Sequence, residues 1–188
     1  MLPKYPTAIG VLTLLAGTAT LAHADDAATR KALQQQYAKI SQAYKTKSIK
    51  PIQDVSTPDY TLTLPSGQIV TRQQMEAQFA TQLSFLQTIS KADAKLGKIE
   101  GKGKEVKVDA QETITAVISD PQTAGKVHTM DSTNQYRDTW VKSGSGWLRK
   151  HSDLQKMTMK MDGKPLDINA MMGGGQGRMQ KPMGQTKK

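Results

Sequence analysis

The chain has 188 residues, 37% of them hydrophobic, 22% charged and 5% aromatic, and carries a formal net charge of +10, which describes one modest domain with tails. It contains no cysteine, which excludes disulfide scaffolds, zinc fingers, thiol nucleophiles and dithiol redox motifs, because each needs a thiolate. The patterns G-x-x-x-x-G-K-[ST], H-E-x-x-H and G-x-S-x-G do not occur, so phosphate-loop, zincin and hydrolase-elbow chemistry has no support.

Lys4 precedes an apolar run from Ala8 to Gly17, and Ala22-His23-Ala24 follows. A run this short does not span a bilayer, and small residues at both specificity positions predict a secretory signal peptide over 1–24, cleaved after Ala24. The mature chain is then periplasmic or secreted, begins at Asp25 and has no membrane span. Subtracting Lys4 from the charge of +10 leaves +9. Four of the remaining cations, Arg178, Lys181, Lys187 and Lys188, lie beyond Asp167 in a Met- and Gly-rich stretch without periodicity. Residues 170–188 are therefore expected to form a disordered basic tail, with the domain at 25–169. The body retains a charge of about +5, a weak electrostatic footprint, and nucleic acid is not expected as a partner.

Leu33, Tyr37, Ile40 and Tyr44 fall on one stripe of a helix predicted over about 26–46. Ile49, Ile52 and Val55 predict a second short helix or turn, broken by Thr57-Pro58-Asp59. Tyr60 to Leu64 and Gln68 to Val70 flank Pro65-Ser66-Gly67 as a β-hairpin. Thr71 and Gln74 have the spacing of a capping box. A third helix is expected from there to about residue 90, with Met75, Phe79, Leu83 and Leu86 as its apolar stripe. The even-numbered positions Val106, Val108, Ala110, Ile114, Ala116 and Ile118 then give a period of two over about 105–119, interrupted only by Glu112. Further strands are expected from Val127 to Val141 and, after the Gly144-Ser145-Gly146 turn, from Trp147 to about Met161. With strand-like alternation from Lys91 to Leu96, ended by a turn at Gly101 and Gly103, as the first of them, helix, helix, hairpin, helix and four antiparallel strands make an α+β layer arrangement.

That order, with the stretch from Tyr136 through Asp138, Trp140 and the Gly144-Ser145-Gly146 turn to Trp147, resembles the nuclear transport factor 2-like superfamily over about residues 27–157. The likeness is to its SnoaL-like and ketosteroid-isomerase-like branches. It implies a cone-shaped fold with three N-terminal helices packed on a strongly curved antiparallel sheet. Enzymes, binding domains and assembly domains share that cone, so the resemblance does not fix an activity. Carried over position by position, the isomerase's helix-one tyrosine falls on Tyr37 and its proton-donating aspartate on Asp138. An apolar pocket residue of that family falls on His151, and the catalytic base falls near Leu64, which cannot act as one.

If Asp138 points inward, so do Tyr136 and Trp140, while Arg149, His151 and Asp153 share a face of the last strand. The candidate ligand-binding residues are thus Tyr37, Tyr136, Asp138, Trp140, Arg149 and His151, apolar walls with a few convergent polar groups. Asp138 buried near tyrosine hydroxyls can remain protonated, and His151 is an acid-base candidate. Both tryptophans are expected to serve packing first. Met157, Met159 and Met161 have sulfur that suits Cu(I), but methionine also fills irregular cores, and no metal or cofactor is assigned. The expected function is an exported domain, paired as a homodimer through its exposed sheet face, that binds a small, partly apolar ligand without catalysis. An isomerase, lyase or hydrolase using Tyr37, Asp138 and His151 is the alternative, and an envelope assembly or interaction module is a third reading.

Overall fold

A computed structural model describes residues 19–120, 123 and 125–167. The expected basic tail lies outside them. Helix α1 (Ala19–Lys45) places Leu33, Tyr37, Ile40 and Ala43 in the core, as the four-three spacing requires. Helix α2 (Lys50–Asp54) adds Ile52, and Val55 follows it into the interior. Strands β1 (Ser56–Thr63) and β2 (Ile69–Thr71) form the hairpin, closed by Gly67 at a φ of +83°, a left-handed conformation that glycine adopts freely. Thr57, Pro58 and Asp59 do not end an element. They sit inside β1, in an irregularity of its ladder between Ser56 and Thr61, where a proline is tolerated because no ladder bond is lost.

Helix α3 (Arg72–Phe85) starts with the full capping box of Thr71 and Gln74. It stops at Phe85, not near residue 90: β3 (Leu86–Glu100) begins at once. Thr88 and Ile89 pair with Val117 and Ala116 of β4 (Glu105–Ser119), and that long-range pairing overrides a helical reading of residues 86–90. Strands β5 (Val127–Ser143) and β6 (Gly146–Met161) follow, and a short β7 (Lys164–Pro165), not foreseen in the sequence, pairs with the end of β6. The sheet order is β2-β1-β6-β5-β4-β3. The β1–β6 pair is parallel, so the sheet is antiparallel-rich and not wholly antiparallel. The third helix follows the hairpin, so the helices do not form one uninterrupted N-terminal block.

Register sets what faces the helices. The even positions of β4 and β5 form matched pairs, from Val106 with Trp140 to Ala116 with Met130. On β6 the same rows continue with Arg149 beside Trp140, Ser152 beside Asp138, Leu154 beside Tyr136, Met157 beside Asn134 and Met159 beside Ser132. The parity along β6 changes twice because Lys150 and Gln155 are extra residues opposite β5, each a β-bulge. Leu33, Tyr37 and Ile40 of α1 form one core with Val106, Val108, Trp140 and Trp147. Replacing the N-cap, Thr71→Ala, removes the acceptor for the Gln74 amide and is expected to lower stability by about 1 kcal/mol in urea unfolding.

Candidate functional site

The centre of the concave face is a directed hydrogen-bond network. Trp140 Nε1 donates to Tyr37 Oη at 3.1 Å, and Tyr37 in turn donates to Asp138 Oδ2. On the other side Tyr60 Oη donates to Ser152 Oγ at 2.9 Å, and Ser152 donates to Asp138 Oδ1. The indole can only donate, which directs the Tyr37 hydroxyl hydrogen toward Asp138. Arg149 Nη1 stands 3.9 Å from Asp138 Oδ2, and its guanidinium lies 5.0 Å from the Tyr60 ring centroid. Burial pushes the Asp138 carboxyl up, and Arg149, Ser152 and Tyr37 oppose that shift. Asp138 is 0% exposed and both its oxygens accept hydroxyl donors. It is a structural acceptor beneath the cavity and does not present a proton to it.

The cavity itself has a volume of about 330 Å³ and lies between the helices and the sheet. Ile40 and Tyr44 of α1, Phe79 of α3 and Leu154 and Met157 of β6 give it apolar walls. Its polar lining comes from Tyr60, Glu112, Asn134, Tyr136 and Arg149 of the sheet and Gln78 and Gln82 of α3. A second cavity of about 230 Å³ shares Tyr44, Phe79, Asn134 and Met157 with it and extends toward Phe85, Met130 and Met159. Glu112 is 5% exposed, and its Oε1 has no hydrogen-bond partner among the described residues. Burial pushes its carboxyl up to about 7, with Arg149 opposing and Asp138 adding to the shift. Burial also raises the phenols of Tyr44, Tyr60 and Tyr136, so these remain neutral hydroxyls.

Of the residues singled out in the sequence, Tyr136 and Arg149 line the cavity. Tyr37, Asp138 and Trp140 are packed together beneath it. His151 does not join them. The bulge at Lys150 turns Ser152 inward, so His151 projects to the opposite face of β6. There its Nδ1 is 2.8 Å from Thr61 Oγ1 and its Nε2 is 2.9 Å from Asp153 Oδ1. Asp153, two residues further along the strand, shares that outer face and holds the imidazole directly. A constellation of Tyr37, Asp138 and His151 around one ligand is not formed. The sequence reading passed over Tyr44, Tyr60, Glu112 and Asn134. Glu112 had a signal, as the one polar residue in the even-numbered apolar run of β4.

Among the described residues no group of three His, Asp or Glu side chains is placed to hold a metal ion. Met157 and Met159 belong to the cavity walls. No described helix is long and apolar enough to cross a membrane.

No family model and no curated protein sequence matches the chain. Solved structures do. A nuclear transport factor 2-like protein from Cytophaga hutchinsonii aligns at 17% identity and a TM-score of 0.52, over 66% of this chain and 94% of its own. A candidate scytalone dehydratase from Novosphingobium aromaticivorans aligns at 14% identity and a TM-score of 0.56, over 88% and 99%. A hexachlorocyclohexane dehydrochlorinase from Novosphingobium barchaimii aligns at 11% identity and a TM-score of 0.55, over 77% and 94%. Together with the element order and the curved, antiparallel-rich sheet, these define the class: the chain has the nuclear transport factor 2-like fold.

Two variants test the site. Tyr37→Phe deprives Trp140 Nε1 of its acceptor and Asp138 of a donor, and is expected to cost about 2–3 kcal/mol in urea unfolding. Glu112→Gln acts in the other direction. With its folded-state pKa raised from 4.5 to about 7, Glu112 contributes stability that is complete below pH 4.5 and lost as pH rises to about 7. The glutamine variant is expected to match the parent near pH 4 and to exceed it at pH 8, on the order of 3 kcal/mol. Equal stability at pH 8 would contradict a buried, titrating Glu112.

Proposed function

We propose that the chain is an exported binding protein that holds one small, largely apolar molecule in the cone cavity. The observation that carries this reading is the cavity of about 330 Å³ in which a buried carboxyl oxygen, Glu112 Oε1, has no partner among the described residues. A buried polar atom left unpaired costs stability, and a ligand donor that pairs with it recovers that loss. Apolar walls with a few polar groups at one side are the usual make-up of a small-molecule site. Binding without turnover is supported by Leu64, which lines the cavity with an alkyl side chain where the isomerase resemblance would place a base. In the same reading, residues 1–24 are removed on export and the outer sheet face pairs two copies of the chain.

A second reading is an enzyme, and Glu112 is the specific observation in its favour. A carboxyl titrating near 7 inside a cavity is suited to exchanging a proton at neutral pH. Two of the similar structures are named as a dehydratase and a dehydrochlorinase. In this reading Glu112 takes the role that Tyr37, Asp138 and His151 do not share.

Native mass spectrometry on the protein produced with its N-terminal segment and recovered from a periplasmic extract tests both readings. The expected result is a dimer of chains beginning at Asp25, each retaining one molecule of reproducible mass. Chains still carrying residues 1–24 would refute export, and an empty protein that takes up none of the extract's small molecules would refute the binding function. Turnover of the retained molecule, abolished by Glu112→Gln, would replace the binding reading with the enzymatic one.

A further inference from the structure

The charges around the cavity are unevenly matched. Arg149 has Asp138 at 3.9 Å and the Tyr60 ring at 5.0 Å, so its charge has a counter-ion, while its buried Nε has no hydrogen-bond partner among the described residues. Asp138 is filled by Tyr37 and Ser152. Among the described residues Glu112, on β4, has neither a cation in salt-bridge contact nor a donor on Oε1, although it lies within electrostatic reach of Tyr44, Tyr60, Tyr136 and Arg149. α3 contributes only neutral side chains to the lining, Met75, Gln78, Phe79 and Gln82. With both carboxylates ionised, this buried set carries one more negative charge than positive.

Aromatic rings gather at the same place. Tyr44 and Phe79 meet edge to face with centroids 5.0 Å apart, and Tyr136 and Tyr60 join them in lining the cavity. Ring faces attract cations, most strongly where water is excluded. An ammonium group has three donors and no acceptor, which complements a carboxyl oxygen that lacks a donor. A ligand carboxylate would instead meet Glu112 as a like charge.

We propose that the cavity selects a small organic amine with an aromatic or apolar body, its ammonium nitrogen on Glu112 and its body against Tyr44, Phe79, Tyr136 and Met157. This rests on the ligand-binding reading above and names the class of ligand. It also gives a pH dependence. Glu112 titrates at about 7, while burial keeps the phenols of Tyr44, Tyr60 and Tyr136 neutral. Arg149 remains charged, and Asp138 is already committed to hydroxyl donors. Amine affinity therefore rises from pH 6 to pH 8 as Glu112 ionises, by about tenfold.

The experiment is calorimetric titration of the full chain with phenethylamine, phenethyl alcohol and phenylacetate at both pH values, repeated on Glu112→Gln. The amine is expected to bind at least about tenfold more tightly than the alcohol at pH 8 and to lose most of that advantage at pH 6. In the variant the preference is expected to vanish while alcohol binding persists, which shows the cavity intact. Tightest binding by phenylacetate would overturn the amine assignment and put Arg149 in the anchoring role, leaving the binding reading standing. An amine preference unchanged in the variant would overturn the assignment to Glu112. Binding of none of the three would overturn the amine class, and the retained-ligand measurement would then decide the binding reading separately.

Discussion

The content of the cone depends on two extra residues in β6. A strand presents alternate side chains to opposite faces, so one inserted residue exchanges the faces for everything beyond it. Lys150 does this between Arg149 and His151, and Gln155 does it again between Leu154 and Lys156. The first insertion brings Ser152 against Asp138 and sends His151 to Thr61 and Asp153. The second returns Met157 and Met159 to the cavity side, beside Asn134 and Ser132. Without the first bulge, His151 would stand opposite Asp138 where Ser152 now does; without the second, Lys156 and Lys160 would be turned inward in place of Met157 and Met159.

The polar interior that results consists of two parts with different physics. Around Asp138 both carboxylate oxygens are paired, and the short directed chain from Trp140 and from Tyr60 joins α1, β1, β5 and β6. Such a network costs desolvation but fixes one arrangement of side chains, since removing any member strands another. Around Glu112 the pairing is incomplete. A desolvated carboxyl without donors shifts toward its neutral form, and folding becomes sensitive to pH through that residue. Saturation beneath the cavity and deficit inside it separate what holds the fold from what meets a ligand.

Much of the architecture was legible from periodicity. The α1 stripe, the capping box at Thr71 and the even-numbered run of β4 are local patterns, and each appears where the spacing puts it. The elements misplaced in the sequence are those decided by partners distant in the chain. Residues 86–90 are strand because β4 offers them a ladder. Pro58 stays within β1 because the parallel pairing with β6 skips it. The site was half legible for the same reason. Tyr136, Asp138 and Trp140 share a face by simple alternation, and they do face inward together. Carrying alternation along β6 from Arg149 to His151 failed, because a bulge leaves no mark in composition. It is defined by the register of two strands.

Glu112 shows how a local exception becomes informative once packing is known. In sequence it is a single break in an apolar run, equally consistent with a strand end, an exposed edge or an inward polar group. The β4–β5 register places it opposite Asn134, with Met157 next in the row, and those neighbours supply neither a charge to match it nor a donor for its free oxygen. Natural cores rarely retain such a group unless something else completes it. The fold hosts too many activities for its name to identify that missing partner. The partner's chemistry is set instead by the atoms around the deficit: a carboxyl oxygen without a donor, aromatic faces and an arginine that has Asp138 as counter-ion but an unpaired Nε.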